Sequence, residues 1–362
     1  MVVPVLAVLY AVWMDPLNIS VVSALAMICV VGDAESQAGD MDFNQPDSVQ
    51  TPPEPGSGQA VDDFGFWLGT WSVSNTNRGN DGLWTDAGRS VAKITPMLDG
   101  RVVFERWDGK SGNFSNTFGM SLRYFDEAHE RWVVLLSWPG GNPVNAGFGV
   151  MEGVFEDGMC VLYPPALFRG PGSEVTGRAT RFVFSDAEDE SCRWTMQAPV
   201  GSDDWRSTWA MAFTRMESDE DIEPGRLPIE SPPDQCACVE DSARAADWLI
   251  GDWTGNEGVS VYATSINRGC GTVLSVATEQ AGEALFVLVY STNQDAWMAR
   301  EIGTHEPLKL RNWTVSAIGP EVGLELVGPK GAKLRMGKRA GDQINLELVS
   351  PDGETESFEL RE

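Results

Sequence analysis

The sequence predicts an all-β chain of two tandem antiparallel β-barrels joined by a Pro/acidic linker. Three observations predict it. A six-residue phrase occurs twice, as Phe66-Trp67-Leu68-Gly69-Thr70-Trp71 and as Trp248-Leu249-Ile250-Gly251-Asp252-Trp253, each copy leading apolar residues into Gly-x-Trp. Short strand-like runs, cut by Gly, Asp and Asn turns, fill most of the chain. Long amphipathic helical patterns are missing, apart from a short one at 241–250.

Taken in order, residues 2–13 and 17–31 are almost wholly apolar, broken by Asp15-Pro16. Ala34-Glu35-Ser36 or Ser36-Gln37-Ala38 then supplies small residues at the spacing a signal peptidase prefers. Residues 1–36 therefore read as a cleaved signal peptide, which places the mature chain in the periplasm or outside the cell with no stable membrane span. No Lys or Arg precedes Arg78, so the usual positive n-region is absent, and an N-terminal membrane anchor over 17–31 stays open as the alternative. As a helix that stretch would rise only ~22 Å, short of the hydrocarbon core. Residues 37–60, with Pro52-Pro53-Glu54-Pro55-Gly56, have the composition of a disordered linker. The same character returns at 217–243 and divides a first barrel (61–216) from a second (244–362), and relative motion of the two is the default expectation.

Within the first barrel, strand-like runs fall near 71–77, 88–96, 101–108, 117–125, 131–138, 145–155, 159–163, 177–184, 191–198 and 205–215. Leu98-Asp99-Gly100-Arg101 and Asp108-Gly109 are hairpin chemistry, and 126–130 is a longer polar turn. Gly69 and Gly251 are the permissive joints into the first strands; Trp71 and Trp253 are natural plugs for a barrel end. Along 101–107, Val102, Phe104 and Arg106 face one side, and Arg101, Val103, Glu105 and Trp107 the other. A face mixing Glu, Arg and Trp suits a partly polar ligand cavity, and the same logic adds Trp138, Arg181, Trp194 and Trp209. A buried Glu105 needs a cation, so Arg123 or Arg181 is expected beside it. Tryptophans filling a closed core, with the charges facing water, is the competing reading of the same pattern.

Gly-x-Trp resembles the opening of the calycin superfamily, whose lipocalin and fatty-acid-binding members begin their first strand this way. A closer likeness runs over residues 61–216: the Phe-x-Phe-Trp-x-Gly-x-Trp phrase, Leu98-Asp99-Gly100-Arg101, Gly119-Met120-Ser121-Leu122-Arg123-Tyr124-Phe125-Asp126, the strand at Trp132 and the closing Phe213-Thr214-Arg215. It is similar to a bacterial family of calycin-like domains without an assigned activity. The resemblance implies an arginine laid over each barrel-opening tryptophan, Arg215 over Trp71 and Arg361 over Trp253. Gly251–Gly258 distantly resembles the nitrobindins, which hold ferric haem through one histidine; the Tyr-Pro-Thr-Ile continuation is missing and His305 precedes a turn-forming proline, so no cofactor is expected.

A net charge of −27, from 26 basic and 53 acidic residues, repels phosphate backbones, so nucleic acid is excluded as a partner. Apolar content of 42%, with 14 Trp and 15 Phe, belongs to folded protein. No Gly-x-Ser-x-Gly, phosphate loop, dinucleotide fingerprint or His-x-x-x-His occurs, and no catalytic residue or metal ligand set is assigned. Cys160 and Cys192 each sit in a strand and are expected to form a disulfide closing about 32 residues, while Cys236 or Cys238 is placed to reach Cys270. The leading functional reading is an exported, non-enzymatic binder of a small apolar or amphipathic molecule. A structural or interaction module of the cell envelope with filled barrels is the alternative, and an enzyme in the first barrel the third. Oligomeric state is not legible.

Overall fold

Gly-x-Trp serves as a joint and a plug in both halves of the molecule. The computed structural model describes residues 63–362 apart from 116, 139–146, 171, 173, 218–225, 232–240, 257, 281, 293, 304–307 and 340–342. The expected leader, the 37–60 linker, His305, Cys236 and Cys238 lie outside the described residues. A 3-10 turn, Gly65–Trp67, runs into strand β1 (Gly69–Arg78), and the indole N–H of Trp71 turns back to donate to the Trp67 carbonyl at 2.7 Å. The second half repeats the device: the turn Asp247–Leu249 enters β11 (Gly251–Gly255), and Trp253 donates to the Leu249 carbonyl at 3.1 Å. Both rings are buried, so the repeated phrase encodes a plug whose one polar atom is satisfied locally.

From β1 the first half continues as β2 (Trp84–Met97), β3 (Val102–Gly109), β4 (Phe118–Asp126), β5 (Arg131–Ser137), β6 (Gly149–Glu156), β7 (Met159–Tyr163), β8 (Arg181–Ser185), β9 (Ser191–Val200) and β10 (Asp204–Arg215). Each pairs with the next and β10 returns to β1, a closed antiparallel up-and-down barrel with no free edge. The second half, from β11, is β12 (Ser260–Ile266), β13 (Gly271–Thr278), β14 (Gly282–Ser291), β15 (Ala296–Gly303), β16 (Leu310–Gly319), β17 (Gly323–Val327), β18 (Lys333–Lys338), β19 (Gln343–Val349) and β20 (Thr355–Arg361), and it closes the same way. In place of the short amphipathic helix expected at 241–250 there are two 3-10 turns, Asp241–Arg244 and Asp247–Leu249.

Arg215 closes the first barrel. Its guanidinium lies 4.4 Å from the Trp71 ring and donates to the carbonyls of Leu68 (2.6 Å), Phe66 (2.7 Å) and Asp189 (2.5 Å). Gly69, at φ 120°, makes room: a Cβ there would sit 2.6 Å from Arg215 Nη1. Arg361 does not do the same for Trp253. Arg215 is the direct cross-strand partner of Trp71, whereas Arg361 pairs with Thr254, one residue out of step, and so stands on the exposed outer row.

Three apolar clusters hold the molecule together. One fills each barrel, and the third lies between them. In β3, Val103, Glu105 and Trp107 point inward while Val102 and Phe104 point outward, and the outward residues are nonetheless fully buried, packed with Leu122 and Leu135 against Ile266, Val287 and Ile302 of the second barrel. Polar contacts frame this seam: Arg268 donates to Asp108 Oδ1 at 2.5 and 3.0 Å, the Leu310 amide donates to Tyr124 Oη at 3.0 Å, and Arg106 pairs with Glu230. The described part of the interbarrel segment, 226–231, is docked as well. Leu227 is buried, Tyr262 Oη donates to its carbonyl, and the Glu230 amide donates to Thr264 at 2.8 Å. The two barrels, read from the sequence as tethered domains, share one apolar seam, because both facing walls are hydrophobic on their outer rows.

Cys160 and Cys192 are free thiols, and the expected bridge between them is not formed. The reason is the strand order: β8 lies between β7 and β9, with Phe184 opposite both Cys160 and Trp194, and strands two apart are about 9.6 Å from each other, beyond disulfide reach. Cys270 is disulfide-bonded, its partner outside the described residues, so it offers no thiolate to a metal.

Candidate functional site

The interior of the first barrel brings together most of the residues singled out in the sequence. β3 carries Glu105 and Trp107 inward, β4 carries Ser121 and Arg123, and Trp138, Trp194 and Trp209 come from just past the end of β5, from β9 and from β10. Glu105 is 4% exposed and Arg123 3%. Ser121 Oγ donates to Glu105 Oε2 at 2.5 Å, and Arg123 Nη2 lies 3.5 Å from the same oxygen. The guanidinium also stacks 3.8 Å from the Trp67 ring, with Phe184 at 4.9 Å and Phe64 at 5.1 Å. Burial pushes the Glu105 carboxyl up, with Arg123 and the Ser121 hydroxyl pulling back; burial lowers Arg123 to about 10 against the opposing pull of Glu105. Burial likewise raises both thiols, Cys160 and Cys192, against the pull of Arg123.

Above this pair the tryptophans pack on one another. Ring centroids are 4.9 Å apart for Trp107 and Trp138, 6.2 Å for Trp138 and Trp209, and 4.9 Å for Trp194 and Trp209, while Phe114 stacks on Trp209 at 5.3 Å. The space left beside Glu105, Arg123, Trp138 and Trp194 is about 30 Å³, far below the roughly 300 Å³ an organic ligand needs. Glu105 thus faces inward beside Arg123 as its strand parity requires, but the chamber is filled. Arg181 is not part of it. On β8, Phe182 and Phe184 take the inward row, which puts Arg181 outside, where it donates to Gln197 (2.8 Å) and Tyr163 (3.0 Å) and lies 3.9 Å from the Trp205 ring.

The roomier site is in the second barrel, where no cavity residue was singled out. A cavity of about 330 Å³ opens at one end, with Val276, Ala284, Phe286, Trp313, Leu334 and Leu348 as an apolar floor and Thr278, Lys333, Ser350, Glu354 and Glu356 at the rim. Trp313 is fixed in this wall from three sides. Its N–H donates to Glu301 Oε2 at 3.0 Å, Phe286 meets it edge-on at 5.2 Å, and its six-membered ring lies over Gly328, where a Cβ would come within 2.7 Å. Glu301 is 3% exposed and its other oxygen accepts from Arg311 at 2.9 Å, so the carboxylate that positions the tryptophan is itself neutralised. The sequence signal for this wall was the small-large alternation Ala284, Phe286, Leu288, Tyr290 facing Gly303, Glu301, Ala299, Trp297, a row with one acid among mostly apolar residues.

Among the described residues, no group of three or more His, Cys, Asp and Glu side chains is arranged to hold a metal ion, and no helix is long and apolar enough to cross a membrane. No protein family and no curated protein matches the chain. A solved structure it is similar to is a protein of unknown function from the DUF3598 family of Nostoc punctiforme PCC 73102, at 11% identity over 83% of this chain and 97% of that one, with a TM-score of 0.26.

Proposed function

We propose that this is an exported, non-enzymatic protein of calycin-like barrels that holds a small apolar or amphipathic molecule in the mouth of the second barrel. The observation that carries the reading is the open cavity of about 330 Å³, in the size range of organic ligands, with an apolar floor and a polar rim. The first barrel, filled by its own tryptophans, is the packed support against which the second is built. The disulfide at Cys270 supports export, since such bonds persist in oxidising compartments.

Fluorescence titration with the neutral probe N-phenyl-1-naphthylamine tests this. The wild-type chain should enhance the emission with saturation at one probe per chain. Ala284→Trp, which fills the floor, should weaken binding by about tenfold or more, the equivalent of about 1.4 kcal/mol. Trp107→Ala in the first barrel should leave probe affinity unchanged. Binding lost with Trp107→Ala and kept with Ala284→Trp would move the site to the first barrel.

A further inference from the structure

A carboxylate lines the mouth of the second barrel's cavity. Phe358 and Leu360 of β20 pack into the barrel core, so Glu356 lies on the same inward row. Directly opposite Glu356 across the β19–β20 ladder is Leu348, which lines the cavity and is itself opposite the buried Leu334. The basic residue at this mouth is placed differently. Lys333 also lines the cavity; as the strand neighbour of Leu334, paired with Val327 and Val349, it stands on the alternate row from Glu356, and its charge acts on Glu325. Arg311, on the inward row of β16, is held by the buried Glu301. Glu356 is exposed, and among the described residues no ion pair engages it.

We infer that the ligand is a cationic amphiphile: an apolar body seated on Val276, Phe286 and Leu334, with an amine or quaternary ammonium head at the mouth beside Glu356 and within reach of the Trp313 wall. This rests on the reading that the cavity binds a small molecule. The floor selects against bare inorganic cations, which gain nothing from burying apolar surface. A carboxylate at a half-wet mouth attracts a cation through a medium less screening than bulk water, and an indole face adds a cation–π contribution that an anionic head cannot receive. Glu354 on the same rim and the net charge of −27 add a field that draws cations in and repels fatty-acid-like anions.

Competition on the full chain decides it. N-phenyl-1-naphthylamine is displaced by dodecyltrimethylammonium or by dodecanoate, each below its micelle concentration, in low salt. Dodecyltrimethylammonium should displace the probe at about tenfold lower concentration than dodecanoate, a ratio that falls in high salt. Glu356→Gln should bring the two close to equality, each displacement being read against the variant's own affinity for the neutral probe. If the probe binds and dodecanoate competes as well or better, the cationic assignment is overturned and the cavity reading stands. An unchanged ratio in Glu356→Gln removes Glu356 from the assignment. If the probe does not bind the wild type, or Ala284→Trp does not weaken it, the cavity reading itself falls.

Discussion

Glu105 and Arg123 show what a filled barrel does with charge. Each is desolvated, and each satisfies the other incompletely: Arg123 Nε and Nη1 have no hydrogen-bond partner among the described residues, and aromatic faces supply much of its environment. Removing one partner leaves the other buried and alone. Glu105→Ala should therefore cost about 3–5 kcal/mol, and Glu105→Leu combined with Arg123→Met should cost less than Glu105→Ala by itself, read as shifts of the urea midpoint at constant slope. The pH dependence has a defined sign. A carboxyl raised in the folded state contributes stability that is complete below its unfolded value and is lost as pH rises through the folded one. Stability of the wild type relative to Glu105→Gln should fall as pH rises from about 4; a relative gain would mean that the attraction of Arg123 outweighs burial. The neighbouring thiols give a second check. Cys160 and Cys192, buried and raised above the ordinary thiol range, should resist iodoacetamide in the native protein and take up two labels only once it is unfolded, as peptide mass mapping would show.

At the scale of single elements, register decides which residues of a pattern do work. Arg215 closes its barrel because it stands directly across from Trp71, and its planar fork reaches three carbonyls at once. Arg215→Ala should cost about 2–4 kcal/mol, and Arg215→Lys should recover little, since an ammonium cannot span the three acceptors. Arg361→Ala, on the outer row, should change stability by less than about 0.5 kcal/mol. Chemical denaturation of the three variants checks all of this. The ten strand runs read from the first half each overlap one of β1 to β10, with starts off by up to four residues at β2, β6 and β8, because alternation and Asp-Gly turns are local signals. The inward facing of Glu105 was legible for the same reason, since parity on β3 follows from Val103 and Trp107. Arg181 was misplaced because the long stretch between β7 and β8 offers no local cue to parity. The Cys160–Cys192 bridge failed on information that no strand pattern contains: which strand is inserted between two others. The cavity of the second barrel was missed because its walls are ordinary apolar residues, and emptiness is a property of how side chains from six strands meet.

For the whole molecule, the consequential feature is the seam between barrels. β4, β5, β13 and β14 are buried on both faces, and their sequences say so in retrospect: Val133-Val134-Leu135-Leu136 and Leu285-Phe286-Val287-Leu288-Val289 are continuous apolar runs, not alternating ones. Such runs mark strands covered on two sides. The outward rows of these strands are as apolar as a core, so each barrel depends on its neighbour to cover them, and the two should unfold together. Calorimetry of the full chain should show one cooperative transition, with Phe104→Asp at the seam splitting or sharply lowering it. Cut after residue 216, the first barrel would expose Met97, Phe104, Leu122 and Leu135 as one patch. Expressed alone, residues 63–216 should bind hydrophobic dyes and self-associate in size-exclusion chromatography, whereas the same fragment carrying Phe104→Lys and Leu135→Glu should stay monomeric with its strand content intact. A monomeric, dye-silent wild-type fragment with the stability of the full chain would show that the seam contributes nothing, and the two barrels would then be independent units after all.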